Sequence, residues 1–132
     1  MRLSGILLPI LFLFGCNPDS KEEIPSSTSL EGRWIMEAAA RDGKLTETLK
    51  DSYFIFQNPD ILINNINRKE ISFKYNVLED NRIEQRGALD LDYNIMKFQN
   101  DTLVLRTQIR DYDFQFLLIR DTLDVELRLN SE

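Results

Sequence analysis

The sequence predicts an all-β domain, a small antiparallel up-and-down β-barrel of about eight strands with one further strand at the C-terminus. Three observations carry that prediction. The segment Ile71-Ser72-Phe73-Lys74-Tyr75-Asn76-Val77 alternates strictly between apolar and polar residues, the period of a strand with one buried face. Short breaks rich in Asn and Asp recur between such segments, and these residues tolerate the positive φ that hairpin turns need. No long stretch of the domain repeats its apolar residues every 3.6 positions, so helices are not expected to build it.

Taken in order, the first strand covers residues 33–40, and residues 44–50 are expected to form one short helical turn. Strands over 52–57 and 61–65 flank the turn Asn58-Pro59-Asp60, and the alternating strand 71–77 follows. Asp80-Asn81 then separates it from 82–86 as a tight hairpin. Strands 93–98 and 102–106 are divided by Gln99-Asn100-Asp101, and Arg110-Asp111-Tyr112-Asp113 leads into 114–120. Leu123, Val125, Leu127 and Leu129 alternate with charged residues, so 122–129 is expected to add a strand at the seam or to cover an edge. About eight such strands can close into a barrel.

Residues 1–15 have the composition of an export signal. Arg2 supplies one positive charge, and the apolar run from Ile6 to Phe14 is far shorter than the roughly 20 residues that span a bilayer. The run ends in Leu13-Phe14-Gly15-Cys16, which resembles the lipobox of bacterial lipoproteins, with Phe14 bulkier than the usual occupant of its position. That resemblance implies cleavage before Cys16 and its modification by acyl chains of the palmitate type, so the protein's first partner is a membrane. Lys21-Glu22-Glu23 is similar to the signal that sends some lipoproteins to the outer face of the outer membrane, and Asn17 is not the aspartate that retains many in the inner membrane. Residues 16–29 read as a lipidated N-terminus and flexible tether, being rich in Ser, Pro, Thr and charge, and the domain occupies 30–132.

The domain opens with Leu30-Glu31-Gly32-Arg33-Trp34, and Gly-x-Trp at the start of a first strand resembles the lipocalin superfamily, in particular the small lipocalin-like domains of bacterial lipoproteins. Asp42-Gly43-Lys44, the strand Asp101-Thr102-Leu103-Val104-Leu105 and an aromatic last strand ending in Arg120 agree with it, over residues 30–120. The resemblance implies a structural plug made of Gly32, Trp34 and Arg120, with the arginine lying across the indole.

The chain carries a net charge of −6, a single cysteine and no histidine. No clustered basic face is visible, so nucleic acid is not expected as a partner. Without histidine, the commonest general base, the commonest zinc ligand and all Ser-His and Cys-His pairs are missing. No metal, cofactor or catalysis is expected; Asp90 with Asp92 and Asp111 with Asp113 read as turn formers rather than acid–base pairs. Two functions stay open. One is a small hydrophobic ligand held inside the barrel by Met36, Phe54, Phe56, Ile71, Phe73, Tyr75, Leu103, Leu105, Phe114 and Phe116. The other is an accessory lipoprotein whose barrel is filled by its own side chains and which holds an envelope protein through its exterior. Leu117 and Ile119 beside Phe116 and Leu118 make the last barrel strand apolar on both faces.

Overall fold

The computed structural model describes residues 25–122. The export segment 1–15, Cys16, Lys21-Glu22-Glu23 and all but the first residue of the expected strand 122–129 lie outside the described residues.

The chain forms a short helix α1 (Ser27–Leu30) and nine strands: β1 (Gly32–Arg41), β2 (Lys44–Leu45), β3 (Tyr53–Gln57), β4 (Ile61–Asn64), β5 (Ile71–Leu78), β6 (Arg82–Arg86), β7 (Leu91–Gln99), β8 (Thr102–Ile109) and β9 (Tyr112–Arg120). Sequential strands from β3 to β9 pair antiparallel with their neighbours, and β1 pairs with both β3 and β9. The ring therefore closes with eight strands, and closure removes the exposed edges that an open sheet would carry. The ninth strand, β2, stands outside the ring as the second arm of a hairpin on β1.

Turn chemistry sets the register. Asp42 and Gly43 both have positive φ, as a two-residue hairpin turn requires, and they send Lys44-Leu45 straight back along β1. The expectation of one helical turn over 44–50 is met only in its second half: Lys44-Leu45 form an exposed arm, and a turn follows in which the Lys50 N–H donates to the Glu47 carbonyl at 3.2 Å. Asn100-Asp101 and Arg110-Asp111 are likewise two-residue turns, with Asn100 and Arg110 at positive φ. The hairpin between β5 and β6 is one residue longer than Asp80-Asn81, because Leu78 pairs with Arg82 across Glu79-Asp80-Asn81.

Two bulges bend the ring. In β1 the partners of β9 shift between Met36 and Ala38, which turns Met36 and Ala39 inward although they are three residues apart. In β7 the shift between Ile95 and Lys97 leaves Met96 exposed and brings Phe98 back toward the core. The core fills the ring: Trp34, Phe54, Phe56, Tyr93, Leu103, Leu105, Phe116 and Leu118 are wholly or almost wholly buried.

Candidate functional site

One end of the barrel is closed by α1 and by two side chains from the ends of the ring. Ser26 caps the helix, and Ser29 answers in a capping box. The Glu31 N–H reaches back to the Thr28 carbonyl at 3.3 Å, and the carbonyls beyond it need partners from outside the helix. Here the indole Nε1 of Trp34 donates to the Leu30 carbonyl at 2.9 Å. Arg120 donates to the Ser29 carbonyl at 3.0 Å and the Glu31 carbonyl at 2.9 Å. Its Nε also reaches Asp101 in the β7–β8 turn at 3.1 Å. The guanidinium carbon stands 4.3 Å from the centre of the Trp34 ring, a stacked cation–π contact. Gly32 is needed for two reasons. Its φ is +127°, and a Cβ there would stand 3.3 Å from Nη1 of Arg120. The segment 26–29, composed like a tether, is thus folded onto the barrel through its backbone rather than through apolar side chains.

The ten candidate ligand-lining residues all belong to the inner side of the ring. Met36, Phe54, Phe56, Tyr75, Leu103, Leu105 and Phe116 join one packed cluster with Trp34, Ile83 and Tyr93. Phe73 is buried beneath Gly87, where a Cβ would stand 3.4 Å from its ring, while Ile71 and Phe114 are half-buried toward the far end. The rings pack on one another across the interior. Phe54 meets Tyr93 edge-on at 5.5 Å and Phe116 at 6.1 Å, Phe56 meets Tyr75 at 5.1 Å, and Trp34 meets Phe98 at 6.3 Å.

The sequence reading missed the polar residues of this interior. Asn64, Gln85 and Tyr93 are buried together. Gln85 accepts from Tyr93 at 2.7 Å and from Asn64 at 3.0 Å, and it donates to the Leu89 carbonyl at 2.9 Å. The signal was present: Ile83 faces inward, so period 2 places Gln85 on the same side. Burial raises the Tyr93 hydroxyl far above its ordinary pKa, and a hydrogen bond with Asn64 opposes this weakly. Tyr75 is pushed up to about 12, by burial first and then by the carboxylates of Glu31 and Asp60. Its hydroxyl has no hydrogen-bond partner.

A groove of about 750 Å³ lies outside the ring, across the outer faces of β6 to β9. Its floor lies where β7 and β8 part. Their ladder ends at Asn94 opposite Arg106, yet β7 begins at Leu91 and β8 runs on to Ile109. The next rung, Asp92 opposite Gln108, is not formed; the Thr107 hydroxyl donates to the Asp92 carbonyl at 2.8 Å instead. The walls are ion pairs. Asp92 is held between Arg82 and Arg86, each at 2.9 Å, and Arg106 grips Asp113 with two hydrogen bonds at 3.0 and 2.7 Å. The Arg106 bonds hold the Asp113 carboxyl below its ordinary pKa. Asp90 does act in a turn, accepting from the Gly87 N–H at 3.0 Å, and Asp111 sits in the β8–β9 turn. Leu117 and Ile119 point away from the core, are half-buried, and lie opposite Val104 and Ile35 respectively.

Among the described residues no group of three or more metal-ligating side chains converges, and no helix is long and apolar enough to cross a membrane. No protein-family model, no curated protein and no solved structure matches the chain.

Proposed function

We propose that this chain is a membrane-anchored lipoprotein with a lipocalin-like barrel that is filled by its own side chains and meets an envelope partner through its exterior. The observation that carries this reading is the ring packing of the interior. The residues that would line a ligand chamber touch one another, and a groove of about 750 Å³ lies on the outer flank. An eight-stranded ring is only just wide enough for its own side chains, and nine inward aromatic side chains use that room. The anchor is Cys16, and the outer membrane, exposed at the cell surface, is the location that Lys21-Glu22-Glu23 supports. The residues between Cys16 and Pro25 reach at most about 30 Å, so the closed end, where Pro25 joins the barrel, is held within about that distance of the bilayer.

Two measurements test the reading separately. Labelling of growing cells with an alkyne fatty acid is expected to mark the wild type, and Cys16→Ser is expected to lose the label and leave the membrane fraction. Label retained by Cys16→Ser would overturn the anchor. Titration of the purified chain with the apolar fluorophore N-phenyl-1-naphthylamine is expected to show no saturable uptake. Saturable uptake abolished by Phe54→Trp or Leu105→Trp, which add bulk inside the ring, would restore a ligand chamber.

A further inference from the structure

We propose that the outer groove over β6 to β9 is a binding site for a neutral saccharide, a short uncharged glycan. The inference deepens the reading of the exterior as the recognition surface and depends on neither the anchor nor the location.

The chemistry of the groove excludes other ligand classes in turn. Its three guanidiniums, Arg82, Arg86 and Arg106, are each engaged by carboxylates. Against those three charges stand five carboxylates, Asp80, Glu84, Asp90, Asp92 and Asp113, on the same strands and turns. An anion would find every guanidinium already engaged by a carboxylate, with no unpaired positive charge among the lining residues. A bare cation would have to strip arginines from Asp92 and Asp113. An apolar ligand would find Leu91 alone among the lining residues. An extended peptide adds to a sheet by pairing with a row of free backbone groups. Here a single rung is open, Asp92 opposite Gln108, and one of its carbonyls is already taken by Thr107.

A saccharide suits what remains. Each hydroxyl both donates and accepts, so it can insert beside an Arg–Asp pair without separating the charges. Asn94 and Gln108 present amides from the two parting strands, side by side with those pairs. The walls are also fixed before any ligand arrives. Arg86 donates to the Gln85 and Leu91 carbonyls at 2.8 and 3.4 Å while it holds Asp92, so little side-chain freedom is left to lose on binding. A volume near 750 Å³ is within the range of small-ligand sites.

The test is saturation-transfer difference NMR on the full chain in detergent, with maltotetraose, cellotetraose and chitotetraose as probes and trialanine as the peptide control. At least one tetrasaccharide is expected to show transfer, and trialanine none. Asn94→Ala and Gln108→Ala, both exposed and outside the ion pairs, are expected to weaken that signal at least tenfold in affinity while leaving the melting temperature unchanged. Lys74→Ala on another flank is expected to have no effect. Absence of transfer to all three saccharides would overturn the proposal. So would binding that survives both amide substitutions, or trialanine binding in their place. Uptake of the naphthylamine fluorophore in the same samples would count against the filled barrel and leave the groove standing.

Discussion

The two ends of the barrel solve the same problem, polar backbone at the rim of an apolar core, in opposite ways. At the closed end two side chains, Trp34 and Arg120, satisfy the carbonyls of Ser29 and Leu30 in α1 and of Glu31 just after it, and seal the ring against the helix. At the far end the polar groups are drawn inside, where Asn64, Gln85 and Tyr93 satisfy one another, and β7 parts from β8 over a solvent-facing groove. The closed end is a keyed joint between segments far apart in sequence. The far end is a local network whose outer strands are left free to open. Sealing is thus confined to one end of the ring, and the groove proposed for recognition lies toward the other.

If that contrast is right, damage to the joint should cost most. Trp34→Ala removes a fully buried indole and orphans the Leu30 carbonyl, and it is expected to destabilise the fold by about 3–5 kcal/mol in urea unfolding. A domain of this size has about 5–15 kcal/mol in all, so the variant should be close to unfolding. Arg120→Ala is expected to cost about 2–4 kcal/mol, since it removes charge-assisted bonds to two carbonyls as well as the stacked contact. Arg120→Lys should recover only a small part of that loss, because a single ammonium cannot cover the ring and reach Ser29, Glu31 and Asp101 together.

At the far end, Gln85→Leu keeps the volume but leaves the Tyr93 hydroxyl and the Asn64 amide without their shared partner. The expected loss is about 1–3 kcal/mol. Equal stability of Gln85→Leu and wild type would show that the network is not closed in solution.

The smallest effect is a pH dependence. The folded chain holds the Tyr75 proton to about pH 12, whereas the unfolded chain releases it near 10. The contribution is therefore fully present below pH 10 and falls away as pH rises from about 10 to about 12. Tyr93 acts in the same direction. Tyr75→Phe removes an unpartnered buried hydroxyl, so at pH 7 it should match or slightly exceed the wild type, and its alkaline loss should be shallower. An unchanged alkaline profile would place that hydroxyl in contact with water.

Much of this ring was legible in the sequence, and the exceptions have physical causes. Alternation marked β5, and the Asn and Asp turns marked most hairpins, because both are short-range properties of the chain. The residues of Leu30-Glu31-Gly32-Arg33-Trp34 and Arg120 could be singled out by resemblance, but the reason for the glycine could not. It lies in the approach of Arg120 from the other end of the domain. The bulges at Glu37 and Met96 were hidden because a one-residue shift in register leaves no compositional trace. The helical expectation for 44–50 failed at Lys44-Leu45, where the Asp42-Gly43 turn and pairing with β1 outweighed weak local preferences, and only the turn over 47–50 remains of it. The groove was invisible for a further reason: Arg82 meets Asp92 only once the β6–β7 register is fixed, and Arg106 meets Asp113 only once that of β8–β9 is.

The central claim is that the interior is filled and sealed, so that nothing is carried inside. Native mass spectrometry of the intact chain, extracted from its host membrane in mild detergent, tests this most directly. The account predicts the mass of the processed polypeptide with its acyl modification at Cys16 and no further apolar adduct. A small molecule that stays bound under gentle activation and is released only when the barrel unfolds would contradict it.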